Sequence, residues 1–325
     1  STTTAGSGAS AAGLHQGMKQ NLHILVTGAG GFIGSALLPL LLAAGHQVRA
    51  LYHSTVPALL PDGVEPLQGD LLDPALCRQA CRDIDCVIHL AGQAHVGSSE
   101  AEQQRSTLEL TRLLAQAAAA AAVQRFVYIS SAKARFPQHS PYAAAKRAAE
   151  ELLLQLHAAG TLPVVCLRPA LVYGPGMRGN LATLLRLLRR PFLPVFPGSA
   201  LPMGLIARED CCAAIVAALQ PPALLGGVWE LHDGEVHSLD SLVREVRGLL
   251  GLRAPALRLP RICVQLAAGL AGLSAAVTGT ALGPGTYRAL YAEPYSHDKR
   301  FSQCSGFRPQ HSFRSRLPAL MESIA

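Results

Sequence analysis

The feature that most constrains this chain is the loop Gly28-Ala29-Gly30-Gly31-Phe32-Ile33-Gly34. It lies between a short apolar run, His23–Thr27, and an apolar helical segment, Ser35–Ala44, that ends at Gly45. Gly28 permits a tight turn, Gly31 lets backbone approach a pyrophosphate, and Gly34 lets the helix close on the strand. Free N–H groups and the favourable end of the dipole at the helix start attract anions. A strand, a glycine loop and a helix in this order predict a dinucleotide site.

The pattern around the loop extends that prediction. Strand signals at His23–Thr27, Gln47–Tyr52, Val64–Gln68, Cys86–Leu90, Arg125–Ser130 and Val164–Arg168 alternate with helical ones at Ser35–Ala44, Asp73–Arg82, Glu100–Ala122 and Tyr142–Ala159. Asp73 reads as an N-cap with Pro74 in the first helical position. Strands alternating with helices give parallel pairs and right-handed crossovers. The expected fold class is α/β, a Rossmann-type doubly wound parallel sheet with a smaller C-terminal substrate lobe and ligands at the carboxyl ends of the strands. After Pro169 proline and glycine become frequent, and helices are predicted near Leu181–Arg190, Glu209–Leu219, Ser238–Leu250 and within Pro260–Leu282. We expect residues 1–18 to be disordered or foreign to the natural chain, with Met18 as its start. Residues 19–170 form the dinucleotide domain and 171–325 the lobe, with about 203–222 returning to the first domain.

Composition narrows the class. Half of the 325 residues are hydrophobic and 15% are charged, which supports a sizeable core and excludes disorder of the whole chain. The net charge of +7, from 28 Lys+Arg against 21 Asp+Glu, is mild and suits anionic ligands such as phosphates. No dense basic run points to nucleic acid; Arg186, Arg189 and Arg190 read as the basic face of one helix. The eight cysteines form no CxxC pair and no histidines lie at zinc spacing, so we expect no metal, reduced thiols and a cytoplasmic setting. Ile262–Gly283 is uncharged and long enough to span a bilayer. Its glycines (Gly269, Gly272, Gly279, Gly283) make it only moderately hydrophobic. A buried or surface-lying helical hairpin is expected there, rather than a stable membrane span.

Chemistry concentrates after the fifth strand. Tyr142 and Lys146 stand four apart at the start of a helix, which puts both side chains on one face. An ammonium beside a phenol favours the phenolate, so Tyr142 is a candidate acid or base near neutral pH. Ser130 and Ser131 end the strand, where a hydroxyl can bond a substrate oxygen. The second strand and its end, Val48-Arg49-Ala50-Leu51-Tyr52-His53-Ser54, hold no acid to bond the ribose hydroxyls of NAD. The acid position falls at Tyr52. His53 and Ser54 are placed to donate to the extra phosphate of NADP, and Arg49, further back, is expected to point away. This favours NADP over NAD. His89 reads as a strand-end core residue, and Glu209 and Asp210 as the start of a helix.

Taken in order, TGAGGFIG (Thr27–Gly34), GDLLD (Gly69–Asp73), HLAG (His89–Gly92), FVYISS (Phe126–Ser131), YAAAK (Tyr142–Lys146), LRPALVYGPG (Leu167–Gly176) and GFRP (Gly306–Pro309) resemble the extended short-chain dehydrogenase/reductases. The likeness is to the branch of nucleotide-sugar 4-epimerases and 4-keto-sugar reductases of polysaccharide synthesis. The resemblance implies that Gly28, Gly31, Phe32, Ile33 and Gly34 cradle the pyrophosphate and that Asp70 and Leu71 border the adenine. Ala91, Gly92 and Pro169 would line the cofactor, and Lys146 would hold the nicotinamide ribose. Ser131 and Tyr142 would bracket the reacting oxygen, with Asn180 contacting a nucleotide-diphosphate sugar. It implies a UDP-4-keto-sugar reductase, or a UDP-hexose 4-epimerase with retained NAD, and a homodimer through Glu100–Ala122 and the helix from Tyr142. A non-catalytic dinucleotide-binding regulator is the rival from another class; the set Ser131, Tyr142 and Lys146 argues against it. The chain departs from the pattern in three places. The connection from Ser131 to Tyr142 is shorter than epimerases carry, Ser106 or Thr107 stands where relatives have Asn, and Gly204–Asp210 lacks the usual apolar-aromatic stretch.

Overall fold

In the computed structural model, residues 21–92, 100–192, 195–196, 201–253, 257–258 and 295–323 are described. Ile262–Gly283 and the first eighteen residues therefore lie outside the described residues. The elements are β1 (His23–Thr27), α1 (Gly34–Ala43), β2 (Gln47–Tyr52), β3 (Val64–Gln68), α2 (Pro74–Ala80), β4 (Cys86–His89), α3 (Glu100–Ala120) and β5 (Arg125–Ile129). They continue with α4 (Pro141–Ala158), β6 (Val164–Pro169), β7 (Leu171–Tyr173), α5 (Asn180–Leu188), β8 (Val195–Phe196), β9 (Leu205–Ala207), α6 (Arg208–Ala217) and β10 (Val228–Leu231). After these come α7 (Leu239–Leu249), β11 (Leu257–Arg258), α8 (Arg300–Ser305) and α9 (Phe313–Ser323).

A seven-stranded sheet in the order β10-β6-β5-β4-β1-β2-β3 forms the centre, and every pair in it is parallel. The order reverses between β1 and β4, which opens the crevice at the carboxyl ends where such sheets bind ligands. The six strands and four helices predicted up to β6 form within a residue or two of their expected ends. Local chemistry explains several ends. Asp73 Oδ1 accepts from the Ala75 N–H at 2.8 Å and so caps α2. Gly45 follows α1 at φ +85°, a left-handed stop that a side chain would resist. Pro66 is tolerated in β3 because β3 is an edge strand.

The seventh strand, β10, was not among the sequence expectations. It is short and follows a proline- and glycine-rich stretch, and its place comes from pairing with β6, with Trp229 opposite Leu167. It lies beyond residues 203–222. Within that segment α6 packs on α1, and Cys211, Ala214, Ile215 and Ala218 join the core on the α1 face of the sheet. The opposite face is covered by α2, α3 and α4 around Leu114, Phe126, Tyr128 and Leu153. A third core, of α5, α7, β9 and α9, fills the lobe. Among the described residues no helix is long and apolar enough to cross a membrane.

Two buried arginines close helix ends. Arg125 of β5 donates to the carbonyls of Ala218, Gln220 and Pro221 after α6. Arg247, only 2% exposed, donates to the carbonyls of Leu188, Arg190 and Pro191 after α5 and to that of Arg253. Cations suit these carbonyl-rich ends. We expect Arg247→Met to leave four carbonyls short of a donor and to cost on the order of 3 kcal/mol. Thermal or urea unfolding measures this, with a lower midpoint for the variant; an unchanged midpoint would deny the arginine its role.

Candidate functional site

The glycine loop opens the site. Gly28 sits at φ +70°, and a Cβ there would lie 2.9 Å from Ala91 N and 3.0 Å from the Leu90 carbonyl carbon. The loop and the end of β4 thus meet backbone to backbone. A Cβ on Gly34 would run into Gly28 O and Ala29, so only glycine lets α1 close on the turn. No side chain caps the start of α1 and no acid stands in its first turn, which leaves its N–H groups for an anion.

Two adjoining cavities follow, of about 650 and 450 Å³, sharing Gly28, Gly31, Leu90 and Gly92. The smaller is lined by Tyr52, His53, Ser54, Thr55, Asp70, Leu71 and Ala91. Tyr52 packs its ring against Gly30. His53 Nδ1 and Ser54 Oγ are 2.9 Å apart, and His53 Nε2 is 3.9 Å from Asp70 Oδ2. Arg49 points away, as expected, pairing with Glu65 at 3.0 Å and donating to the carbonyls of Ala80 and Arg82.

The larger cavity is lined by Phe32, Ile33, Gly34, Ser130, Ser131, Tyr142, Lys146 and Pro169. Ser131 Oγ accepts from the Lys133 N–H at 3.3 Å, which leaves its own proton to donate. Ser130 Oγ is buried and has no partner among the described residues, a hydroxyl available to a bound molecule. Lys146 Nζ donates to the Ile129 carbonyl at 2.9 Å and lies 4.8 Å from the centre of the Tyr128 ring. Burial pushes its pKa down from 10.5 to about 8, with Glu150, one turn on, pulling the other way. The lining also includes Leu171, Val172, Met177, Leu181, Lys133 and Arg178, none of which the sequence marks as a site residue. Asn180 opens α5 next to Leu181, and its side chain lies outside the described residues.

Sequence reasoning also missed the hydrogen-bond chain beneath the cavities. The Thr107 hydroxyl donates to the Gly92 carbonyl at 2.7 Å, which ties α3 to the end of β4. Thr111 donates to the Thr107 carbonyl, so it must accept from His89 Nε2, and His89 Nδ1 then accepts from Thr27. Burial, aided by the Lys146 charge, lowers the His89 pKa to about 3, so the ring is neutral and this tautomer holds. Its links join residues up to 62 positions apart, so no short stretch of sequence encodes it.

Further out, Asp233, Glu235 and His237 lie together. His237 Nε2 and Asp233 Oδ2 are 2.7 Å apart, and the acid outweighs burial to raise the histidine pKa. This is a buried ion pair at the edge of the lobe, away from both cavities.

The donor set suits a nicotinamide dinucleotide. The glycines leave a cradle that Cβ atoms would fill, and the Ser130 hydroxyl lacks a partner.

Comparison with known proteins agrees with that reading. The chain is 30% identical to a ceramide reductase of Caulobacter vibrioides, over 79% of this chain and 80% of that protein. It is also 30% identical to a UDP-glucose 4-epimerase of Vibrio cholerae, over 79% of this chain and 85% of that one. Its fold matches a dTDP-glucose 4,6-dehydratase of Streptomyces venezuelae, solved with NAD bound, at TM-score 0.71 and 21% identity, covering 93% of this chain and 96% of the other. Residues 24–228 match the model of the NAD dependent epimerase/dehydratase family, well over half of the chain, and the protein belongs to that family.

Proposed function

We propose that this protein is a nicotinamide-dependent reductase acting at a ketone carbon, with C4 of a UDP-4-keto-sugar as its leading substrate. The observation that carries this reading is that Ser131, Tyr142 and Lys146 line one cavity with the glycine loop. Gly28, Gly31, Phe32, Ile33 and Gly34 would hold the pyrophosphate. His53, Ser54, Asp70 and Leu71 would border the adenosine, and Ala91, Gly92 and Pro169 the middle and nicotinamide end. When bound, the dinucleotide supplies or accepts the hydride. Tyr142 gives a proton to the carbonyl oxygen in reduction and takes it back in oxidation. Ser131 donates to that same oxygen and orients it. Lys146 holds a positive charge on the Tyr142 face of α4 and favours the phenolate the tyrosine leaves behind. Asn180 remains the proposed sugar contact.

A second reading has its own observation. Leu171, Val172, Met177 and Leu181 give the larger cavity an apolar wall that fits a long-chain ketone, and a ceramide reductase is among the relatives. Lys133 and Arg178 in the same lining favour an anionic substrate and keep the nucleotide sugar ahead. We expect Tyr142→Phe to keep cofactor affinity and lose ~10²–10⁴-fold in turnover. The assay is reduction of a panel of UDP-4-keto-sugars and long-chain ketones, with NAD(P)H absorbance as the readout. Activity only on the ketones moves the substrate to the second reading; a Phe variant as fast as its parent removes the role of Tyr142.

The cofactor is proposed to be NADP. The end of β2 offers His53 and Ser54 and no acid, so nothing in that strand repels a 2′-phosphate. Titration of the cofactor-free protein should give a lower Kd for NADP than for NAD. NAD binding ten times tighter would reverse the assignment and make a 4-epimerase with retained NAD the leading function.

The buried lysine sets a pH test. Between about 8 and its ordinary 10.5, Lys146 is less protonated in the folded protein than in the unfolded chain. Stability of the cofactor-free protein therefore rises with pH across that window and is lowest and flat below it. Lys146→Met removes the buried charge. We expect a gain on the order of 1–2 kcal/mol at pH 7 that shrinks toward pH 10, together with loss of turnover. Urea unfolding across pH measures both slopes; a variant with the parent's slope would show that the lysine is not its source.

A further inference from the structure

The connection from Ser131 to Tyr142 is short; it buries Ala132 and Ala134 against α4 and β6, and its own hydrogen bonds are few. It forms two 3₁₀ turns, Ala132–Arg135 and Pro137–His139. Its backbone bonds are local: the Ala134 N–H donates to Ser131, Phe136 to Lys133 and His139 to Phe136. Turns of this length have poor hydrogen-bond geometry. Yet the connection carries Ser131 at its start and Lys133 on the cavity wall, and the proposed reaction needs the Ser131 hydroxyl held to within a fraction of an ångström.

A long-range polar tie is made by Arg135. Its Nη2 lies 2.8 Å from Glu230 Oε1 on β10, and its Nη1 donates to the Tyr295 carbonyl at 3.2 Å. Glu230 is 8% exposed and is shared with Arg168 of β6, at 3.4 Å. Arg168 in turn makes a two-pronged pair with Glu150 of α4, which is 1% exposed and one turn beyond Lys146. Charges alternate along this path, from Arg135 to Glu230, Arg168, Glu150 and Lys146. Each buried carboxylate touches a guanidinium, as burial demands. The serine connection and the helix of Tyr142 and Lys146 are therefore both referenced to one edge of the sheet.

We propose that Arg135 is a positioning residue. Its ion pair with Glu230 fixes the short connection, and with it the Ser131 hydroxyl, against the face of α4 that carries Tyr142 and Lys146. The catalytic part of this inference rests on the function proposed above; the structural part does not.

The test compares the parent protein with Arg135→Met, Arg135→Lys and Glu230→Gln. Hydrogen exchange followed by mass spectrometry should show faster exchange of peptides covering 131–141 in Arg135→Met and Glu230→Gln. Exchange in the glycine loop and NADP(H) affinity should stay as in the parent. Turnover of a carbonyl substrate should fall about tenfold in Arg135→Met with cofactor KM unchanged, and Arg135→Lys should recover most of it. Unchanged exchange in 131–141 overturns the proposal, as does faster exchange with undiminished turnover. A loss of cofactor affinity equal to the loss of turnover also overturns it, because that marks general loosening. If Glu230→Gln does not fold, the two Arg135 variants decide, since Arg135 is 31% exposed and outside the core. If the parent reduces no carbonyl compound, the proposed function falls, and the exchange comparison still decides whether Arg135 is the tie.

Discussion

A positive charge buried at the centre of the sheet's carboxyl edge governs what surrounds it. Lys146 is 4% exposed, and its ammonium rests on the Ile129 carbonyl over the face of Tyr128. Each neighbour answers a requirement of that charge. An aromatic face and a carbonyl attract a cation where water is absent. Glycine at position 92 leaves room for it, because a Cβ there would lie 2.9 Å from Nζ and push the ammonium aside. His89, nearby, must stay neutral, and burial together with the Lys146 charge keeps it so. Glu150 draws the amine back toward its charged form, and its own charge is met by Arg168. Removing any of these leaves the others with a cation they do not balance.

Much of this arrangement was legible in the sequence, and the reason is local. The glycine loop, the capped start of α2 and the four-residue spacing of Tyr142 and Lys146 are each encoded within a few neighbouring residues. Such signals survive without tertiary context, so the sheet up to β6 could be read, and Ser131, Tyr142 and Lys146 lie with the glycine loop on one cavity. The unread parts depend on distance. β10 is four residues long and gains its identity from β6, more than fifty residues earlier. The bond from Thr107 to the Gly92 carbonyl spans fifteen positions and has no local signature. Arg135 has no local signature, because its partners Glu230 and Tyr295 lie 95 and 160 positions away.

The same division separates what is common to the family from what is particular to this chain. The residues proposed to hold a dinucleotide and move a proton come largely from the ends of β1, β2, β4 and β5 and from α4, where the pattern is regular. The rest of the lining includes Leu171, Val172, Met177 and Arg178, past Pro169, where the pattern breaks, and Lys133 on the connection before α4. Apolar side chains and two cations therefore share the cavity. An apolar wall rewards loss of water from any flat, weakly polar body, a sugar ring's carbon face or an acyl chain alike. Cations are more selective, since each must be matched by an anion or left in water. Arg178 is exposed at the rim and Lys133 sits half-buried on the connection that Arg135 ties down. On the proposed function, an anionic substrate beside Lys133 lies against the same connection that carries Ser131 and that Arg135 joins to β10, so substrate charge and the placement of the hydroxyl meet on one segment.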